Sequence, residues 1–438
     1  MSLCMVYRVF ARPPALYYYS RLLSTGSAAL PEQSQDKLQL FGKLYDKDPV
    51  TNVTPHILRH VGRNLHRVSK HPLCIIKERV VHHFHTTYVN RVGNALYAHF
   101  DDVPPVVSTE QNFDSLLVAP DHVTRSKKDN YYINRDTLLR AHTSAHQRDF
   151  IKMGFDRFLV SGDVYRRDTI DSCHYPVFHQ MEGVRLFTGD ELFRNENLGL
   201  KLFEKDSEET GEKQRGHSID AVKMMEINLK ETLDNLMRSL FGTDIQTRWN
   251  ACYFPFTHPS FELEIKFQGE WLEVLGSGVM RQPILDKGGA SDKVGWAFGL
   301  GLDRLAMLLF GIPDIRLFWS KDERFIDQFK SVGISLDTNV QYTPFSVFPP
   351  SYKDLSFWLP KTGFSENDFH EIVRSVGGGL VEEVELVDAF THPHTNRVSH
   401  CYRLTYRAMD RTFTNREVNE IMEKLRQEVQ DTLGVNVR

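Results

Sequence analysis

Features that the sequence lacks exclude several classes of protein. Its 438 residues include only five cysteines, and no two of them form a CxxC pair, so neither a disulfide framework nor a structural zinc site is expected. No uninterrupted apolar run approaches the roughly 20 residues that a membrane-spanning helix requires. The formal net charge of −4 gives no overall signature of nucleic-acid binding, so any contact with RNA must come from a local patch.

Acidic residues are also missing from the start of the chain, where the first is Glu32. The stretch before it carries three arginines and several serines and tyrosines, a composition typical of a mitochondrial transit peptide. The alternative is a disordered tail. We therefore predict a transit peptide at residues 1–30, followed by a polar N-terminal extension at residues 31–71.

The composition that remains is ordinary for a globular protein, with 41% hydrophobic and 25% charged residues and a length sufficient for two or three domains. The most informative stretch is YRRDTIDSCHYPVFHQMEG at residues 165–183. A β-rich run ends at Tyr165, a polar turn covers residues 168–174, and a second β-rich run starts at Tyr175. This pattern predicts a hairpin with a long loop.

The side chains of this hairpin suit the binding of a charged ligand. Phe178, Gln180 and Glu182 alternate along the second strand, so they point to one face that combines an aromatic plane with an amide and a carboxylate. Arg166 follows the first strand and supplies a planar cation that could hold a phosphate through two hydrogen bonds. The alternative is an exposed sheet face with ordinary cross-strand ion pairs.

The hairpin resembles motif 2 of the class II aminoacyl-tRNA synthetases, and FHQMEG at residues 178–183 is the wording of the phenylalanyl-tRNA synthetase catalytic subunit. Further stretches fit the same family. Residues 111–133 resemble the segment that leads into the amino-acid pocket, residues 254–256 match its FPF element, and WAFGLGLDRLAMLL at residues 296–309 resembles motif 3. The resemblance covers nearly the whole chain after the predicted transit peptide, in the pattern of the single-chain mitochondrial members.

Two motifs allow other interpretations when taken alone. His142 and His146 are four residues apart, which suits a metal site on a helix, but no HExxH glutamate accompanies them and substrate binding is favoured over a metal. Gly299 and Gly301 could open a dinucleotide-binding loop, but Arg304 stands where the third glycine is required.

For ATP, the resemblance implies that Arg166 holds the α-phosphate and Arg304 the γ-phosphate. These two arginines are then the catalytic residues of a reaction that depends on positioning and charge neutralisation. The resemblance also implies that Phe178 stacks on adenine and that Asp168 reaches the adenine amino group, although the family commonly has glutamate there. Mg²⁺ is expected to accompany ATP, with Glu273 as a ligand, and no zinc is expected.

For the amino acid, the resemblance implies a pocket in which two phenylalanine rings contact the ring of bound phenylalanine. Ala297 would form the floor of this pocket and oppose a para hydroxyl group. The predicted phenylalanine-binding residues are His142, Ser144, Gln180, Glu182, Phe254, Phe256, Ala297 and Gly299.

The pattern of residues 346–438 predicts the element order β, α, β, β, α, β, which suggests a ferredoxin-like βαββαβ module. The family carries such a domain to bind the anticodon region of tRNA. Acidic residues outnumber basic ones in this segment, which by itself argues against RNA binding. A local cluster of arginines on and beside one strand is nevertheless expected to bind tRNA phosphates; its members are Arg397, Arg403, Arg407 and Arg411.

The sequence thus predicts an α+β protein with an antiparallel-sheet catalytic domain at residues 72–320, a linker at residues 321–345 and a ferredoxin-like anticodon-binding domain. The expected reaction is activation of L-phenylalanine with ATP, followed by transfer to mitochondrial tRNA(Phe) in the mitochondrial matrix. A monomer without membrane association is expected, because motif 1, which builds the dimer interface of class II enzymes, is weak here.

Two other functions compete with this prediction. A synthetase-like ligase with a non-tRNA acceptor would hardly need the C-terminal module. A non-catalytic RNA-binding paralogue would be expected to lose Arg166, Arg304 or one of the pair Gln180 and Glu182, whereas the chain keeps all four.

Overall fold

A computed structural model describes residues 36–194, 199–334, 340–344, 348–361, 363–408 and 411–438. The predicted transit peptide at residues 1–30 lies outside the described residues. No helix in the described part of the chain is both long and apolar enough to cross a lipid bilayer.

The first elements form the N-terminal extension and the approach to the catalytic sheet. They are β1 (Lys37–Leu40), β2 (Lys43–Asp46), α1 (Pro55–Leu58), α2 (Pro72–Thr87), β3 (Ala98–Phe100), β4 (Val106–Ser108), α3 (Thr109–Asn112), β5 (Tyr132–Asn134), β6 (Thr137–Leu139) and α4 (Gln147–Lys152). A 3₁₀ turn at Thr143–His146 leads directly into α4.

The next elements carry the catalytic sheet and its helices. They are β7 (Arg157–Tyr165), β8 (Val177–Phe187), α5 (Gly189–Leu192), α6 (Ile219–Phe241), β9 (Thr247–Phe254), β10 (Thr257–Phe267), β11 (Glu270–Met280), α7 (Gln282–Lys287), β12 (Val294–Gly301), α8 (Leu302–Phe310) and α9 (Glu323–Asp327).

Seven of these strands form one sheet in the order β3, β7, β8, β12, β11, β10, β9. Only the β3–β7 pair is parallel, and the other neighbouring strands of this sheet are antiparallel. Gln268 and Gly269 both have positive φ angles, so the two-residue turn between β10 and β11 matches the twist of its strands and fixes their register. The antiparallel sheet predicted for the catalytic domain is confirmed.

Helices α2, α6 and α8 cover one face of this sheet. The Ser218 hydroxyl accepts a hydrogen bond from the Ala221 N–H and begins α6. Met225 and Met237 of α6 are fully buried, so they are core residues, as the helical spacing predicted. A Cβ atom at Gly183 of β8 would clash with the ring of Phe298 on β12, which packs on this face, and this explains the glycine in FHQMEG.

The described part of the predicted linker packs as part of the catalytic region. Phe325 and Phe329 are fully buried and belong to the same apolar core as Phe310 of α8. The Tyr342 N–H donates to the carbonyl of Phe310 at 2.6 Å. The sequence predicted a linker at residues 321–345, but Phe325 and Phe329, which are four residues apart, pack into the core of the catalytic domain.

The C-terminal domain contains β13 (Ser351–Trp358), α10 (Glu366–Gly377), β14 (Val381–Thr391), β15 (Val398–Tyr406), α11 (Asn415–Leu433) and β16 (Asn436–Val437). Its sheet has the order β14, β15, β13, β16, and α10 and α11 pack together over one face. Apolar side chains that alternate along β13 and β15, such as Phe357 and Tyr402, build the core beneath the helices. The predicted ferredoxin-like module is confirmed.

This domain contacts the loop between β7 and β8. Arg167 in the loop pairs with Asp368 of α10 at 2.9 Å, and the Val384 N–H of β14 donates to the carbonyl of Ile170 at 3.0 Å. Arg374 donates to the carbonyl of Thr169 at 2.8 Å. Contacts with the C-terminal domain therefore help to hold the loop that carries Arg166 and Asp168.

Candidate active site

A cavity of about 750 Å³ lies on the sheet face opposite α2, α6 and α8. Strands β8, β12 and β11 form its floor, and the 3₁₀ turn at residues 143–146, the β7–β8 loop and the β9–β10 turn form its walls. The structure places every residue predicted for ATP or phenylalanine binding around this one cavity: Arg166, Asp168, Phe178, Glu273, Arg304, His142, Ser144, Gln180, Glu182, Phe254, Phe256, Ala297 and Gly299.

Glycines open the floor of the cavity. Gly299 of β12 lies between Glu182 of β8 and Gly276 of β11 in one cross-strand row. A Cβ atom at Gly299 would meet nothing within 4 Å, whereas one at Gly276 would lie 2.8 Å from the Phe254 ring. The row thus leaves a slot above the sheet, with a carboxylate at one end and an aromatic ring over the other.

The apolar part of the slot is built from aromatic rings. Phe254 and Phe256 lie 5.8 Å apart with nearly parallel planes, and the His142 ring is 6.3 Å from Phe256. Ala297 is only 4% exposed and lines the same cavity. This part of the cavity is therefore lined by aromatic rings and one small apolar side chain.

Glu182 is a buried carboxylate without an ion-pair partner among the described residues. It is 2% exposed, and neither of its oxygens accepts a hydrogen bond of good geometry within the described part of the chain. Burial raises the pKa of Glu182 to about 7, although weaker hydrogen-bonding contacts with Ser144, Gln147 and Thr143 oppose this shift. A carboxylate in this state stabilises a cationic group that enters the slot.

The two histidines considered as a metal pair have separate roles. Burial, and the charge of Arg166, lower the pKa of His142 to about 3, so its imidazole is neutral at physiological pH. His146 instead lies 3.0 Å from Arg140, which is paired with the buried Asp163 at 2.8 Å. The two rings therefore do not form a metal site together.

The arginines at the other end of the cavity are held by carbonyl groups. Arg166 donates from Nε to the carbonyl of Ala141 at 2.8 Å, and its guanidinium lies 5.2 Å from the centre of the Phe178 ring. Arg304 donates to the carbonyl of Glu273 at 3.0 Å. Among the described residues neither arginine has a carboxylate partner, so both retain charge for an anionic ligand.

A second carboxylate, Glu262, accompanies Glu273 in the cavity lining. Burial, then the charges of Glu273 and Glu264, raise the pKa of Glu262. A bound cation would relieve this repulsion, so the residues fit a divalent ion that is shared with phosphate groups. No group of three or more His, Cys, Asp or Glu side chains in the described ranges is arranged to hold a metal by itself. The alternation of residues 261–267 could have revealed Glu262, because it places the acidic side chains opposite the apolar ones.

Two histidines next to the predicted site were not predicted from the sequence. His174 lines the cavity, and a hydrogen bond to Asp171 at 2.7 Å raises its pKa. The backbone N–H of His179 donates to Asp303 at 2.6 Å, which joins β8 to the first turn of α8, where Arg304 lies. No spacing in the sequence signals either contact, because each depends on how the hairpin meets its neighbours.

The arginines predicted to bind tRNA differ in their surroundings. Arg403 pairs with Asp354 at 2.9 Å, Arg407 with Glu382 at 2.8 Å and Arg411 with Glu417 at 2.8 Å. Arg397 instead lies over the Trp358 ring, 5.0 Å from its centre. Carboxylates of the same domain thus partly neutralise three of these four predicted side chains.

The antiparallel sheet, the cavity and the added ferredoxin-like module together define a class II aminoacyl-tRNA synthetase. The family model described as the class II core domain (F) of tRNA synthetases matches residues 58–193 and 185–329, and that of the ferredoxin-fold anticodon binding domain matches residues 346–438. The chain belongs to the phenylalanine–tRNA ligase family.

Several relatives support this assignment. The mitochondrial phenylalanine–tRNA ligase of Mus musculus is 54% identical over 403 residues, which cover 92% of this chain and 89% of the relative. A probable mitochondrial phenylalanine–tRNA ligase of Drosophila melanogaster is 48% identical, covering 95% of this chain and 96% of the relative. The phenylalanine–tRNA ligase alpha subunit of Lactococcus lactis strain IL1403 is 36% identical over 51% of this chain and 60% of its own length.

Proposed function

We propose that the chain activates L-phenylalanine with ATP to form phenylalanyl-adenylate and pyrophosphate, and then transfers phenylalanine to the 3′-terminal adenosine of tRNA(Phe). Membership of the phenylalanine–tRNA ligase family supports this reaction. The observation that carries it is the cavity itself, in which an unpartnered carboxylate and an aromatic slot lie beside two arginines that lack carboxylate partners.

Bound phenylalanine would place its ammonium group against Glu182 and Gln180 and its ring between the aromatic side chains and Ala297. His142 and Ser144 would orient the substrate carboxylate. One carboxylate oxygen attacks the α-phosphorus of ATP, the bond to the bridging oxygen breaks, and pyrophosphate leaves. No enzyme nucleophile is required, so the rate depends on positioning and on stabilisation of phosphate charge.

The phosphate end of ATP would lie between Arg166 and Arg304, with adenine on the Phe178 ring and Asp168 at its amino group. Class II synthetases use ATP with a divalent metal, and we propose Mg²⁺ held by Glu273 and Glu262. Such an ion neutralises phosphate charge and orients the leaving group. Arg304 would hold the γ-phosphate through a position fixed by the contact of Asp303 with β8.

Tyrosine would be excluded because its hydroxyl finds no hydrogen-bond partner beside Ala297. Leaving such a group unpaired costs on the order of 1–3 kcal/mol. The Gly299 surface keeps the slot deep enough for phenylalanine itself.

The relatives named as mitochondrial enzymes support a mitochondrial location. We place the protein in the mitochondrial matrix, with residues 1–30 as the transit peptide. We further propose that it acts as a monomer and binds its tRNA through the C-terminal domain.

The test is amino-acid-dependent exchange between ATP and pyrophosphate with each of the twenty amino acids, on protein that lacks residues 1–30. Exchange with phenylalanine, accompanied at most by a weak tyrosine signal, is expected. Charging of a tRNA(Phe) transcript then tests the transfer step. Absence of exchange with every amino acid, from protein shown to be folded by circular dichroism, would contradict the proposal.

A further inference from the structure

The outer face of the C-terminal sheet, which faces away from α10 and α11, is divided into two regions of different chemistry. The first region lies at the middle of the strands. There Arg403 of β15 is flanked by Asp354 of β13 and Glu385 of β14, which are its cross-strand neighbours. Glu383 and Asp388 continue this region along β14. Its single arginine is thus surrounded by carboxylates.

The second region lies at the end of these strands that is next to the β14–β15 turn. It contains aromatic rings and two arginines. Arg397 and Arg438 each lie 5.0 Å from the centre of the Trp358 ring. The Phe390 ring is 6.1 Å from that indole, and the His392 ring is 6.2 Å from it. We call these five residues the tryptophan patch.

The arginines of the tryptophan patch differ from the other arginines of the domain. Arg397 and Arg438 form no ion pair with a carboxylate among the described residues. Each of the other six does, and they are Arg374, Arg403, Arg407, Arg411, Arg416 and Arg426. The two arginines that form no ion pair in the described part of the domain therefore lie against the same indole ring. The chain segment beside them contributes no opposing charge, since residues 389–402 contain no Asp or Glu.

The tryptophan patch is built and accessible. The His392 N–H donates to the carbonyl of Arg397 at 2.8 Å, which closes the turn between β14 and β15 and holds Arg397 beside the sheet. Phe390 is 40% exposed, and Arg397 and Arg438 are exposed. Val384, which bonds to the catalytic region, lies toward the other end of β14. Docking of the domain on the β7–β8 loop thus leaves the patch open.

We propose that the tryptophan patch binds unpaired bases of tRNA by stacking, while Arg397 and Arg438 contact the flanking phosphates. This inference rests on the proposed function, in which tRNA is the acceptor. It assigns the contact between tRNA and the C-terminal domain to a surface that does not include Arg403, Arg407 and Arg411. Flat rings accept bases of any sequence, and each stacked base contributes to affinity independently of salt. The guanidinium groups add a salt-dependent attraction to phosphate. An acidic protein partner would use the charges but would not require unpaired bases.

The first experiment compares two double variants, each made in protein that lacks residues 1–30. Both variants carry the same change in net charge. Arg397→Gln with Arg438→Gln should weaken binding of a tRNA(Phe) transcript at least tenfold and reduce the slope of log affinity against log salt by about 1–2. The matched control, Arg403→Gln with Arg411→Gln, should change affinity less than threefold. Exchange of ATP with pyrophosphate should remain at the wild-type rate in both, because neither pair lies in the catalytic cavity.

The second experiment tests stacking. Trp358→Leu keeps an apolar side chain on the sheet and should weaken tRNA binding at least fivefold with an unchanged salt slope. An anticodon stem-loop RNA should compete for the patch in the wild-type protein, and a duplex RNA of the same length without unpaired bases should compete at least tenfold less well.

The outcomes separate this inference from the proposed function. Wild-type tRNA affinity in the Arg397/Arg438 variant, or a larger loss in the Arg403/Arg411 variant, would overturn the assignment of the surface. Equal competition by duplex and stem-loop RNA would overturn stacking of unpaired bases. Failure of the wild-type protein to activate phenylalanine would instead count against the proposed function, whatever the variants do.

Discussion

Two regions of the molecule use charged side chains in different ways. In the catalytic cavity, Arg166 and Arg304 donate to backbone carbonyls, and Glu182 accepts no hydrogen bond of good geometry from the residues that the structure describes. At the middle of the outer face of the C-terminal sheet, Arg403 is satisfied by Asp354. Among the described residues, Arg166 and Arg304 form no ion pair with a carboxylate, whereas Arg403 is paired with Asp354.

This difference shows that the surroundings of a charge, rather than the number of charges, identify a binding surface. An exposed ion pair contributes little to stability, about 0–1 kcal/mol, and a ligand must compete with the existing partner. A buried charge without a partner is costly in the free protein, and a ligand of opposite charge removes that cost. The tryptophan patch resembles the cavity in this respect, although its arginines are exposed.

The largest expected effect compares an uncompensated arginine with a paired one. Arg304→Ala should lower kcat/KM for phenylalanine-dependent exchange about 10²- to 10³-fold, the order found when one preorganised group that stabilises developing charge is removed. Arg403→Ala is the control and should leave exchange within twofold of wild type. A similar loss in both variants would contradict the distinction between the two regions.

The next effect concerns the unpartnered carboxylate. Glu182→Gln keeps the shape of the side chain but removes its charge, so the KM for phenylalanine should rise roughly 10- to 100-fold, as expected for a hydrogen bond to a charged group. The KM for ATP should change little, and Asp354→Asn in the C-terminal sheet is the matched control. If the KM for ATP rose as much as that for phenylalanine, Glu182 would not be specific to the amino acid.

The pH dependence of phenylalanine binding should follow the same carboxylate. With a pKa of about 7 for Glu182 in the free protein, the ionised form that binds the ammonium group is lost as the pH falls. The dissociation constant of phenylalanine should therefore increase about tenfold per pH unit below 7 and level off above it.

The stability of the free protein should change in the opposite direction. Burial disfavours the ionised carboxylate, so the contribution of Glu182 to stability is lost as the pH rises through about 7. Calorimetry of wild type and Glu182→Gln from about pH 5.5 to about pH 8.5, which brackets the pKa of about 7, measures both the phenylalanine affinity and the thermal stability. If the affinity for phenylalanine decreases as much on lowering the pH in Glu182→Gln as in wild type, the titrating group is not Glu182.

The smallest expected effect concerns the apolar floor, where no charge is involved. Ala297→Gly should improve activation of p-chlorophenylalanine relative to phenylalanine about tenfold, because one missing methyl group in a pocket changes discrimination by about 1–3 kcal/mol. Ala290→Gly removes an equally buried methyl group outside the cavity and serves as the control. An unchanged preference in Ala297→Gly, or the same change in both variants, would show that Ala297 does not form the floor.

Much of the cavity could be predicted from the sequence, because the resemblance to the synthetase family implied most of its residues and local patterns gave the direction of some of them. Alternation placed Phe178, Gln180 and Glu182 on one face, and the register of β8 with β12 agrees with this. The residues of motif 3 placed Arg304 inside a helix, and α8 begins at Leu302. In each case the period of a strand or helix fixes the direction of a side chain without reference to distant parts of the chain.

Contacts between distant segments could not be read in this way. Glu262 lines the cavity because the pairing of β10 with β11 places it opposite Gly276 of the cavity floor. Phe325 and Phe329 fasten the expected linker to the core, although the surrounding composition is polar. The pairing of Arg403 with Asp354 joins residues on different strands.

Local sequence patterns specify the helices and strands, their order and the face on which each side chain lies. Which charged side chains have partners depends on how the chain folds. Within the described residues, folding leaves Glu182 without a hydrogen bond of good geometry, pairs Arg403 with Asp354 and places Arg397 and Arg438 against one indole. The direction of a side chain depends on the local backbone, whereas the free energy of its charge depends on burial and on neighbours that are distant in the sequence.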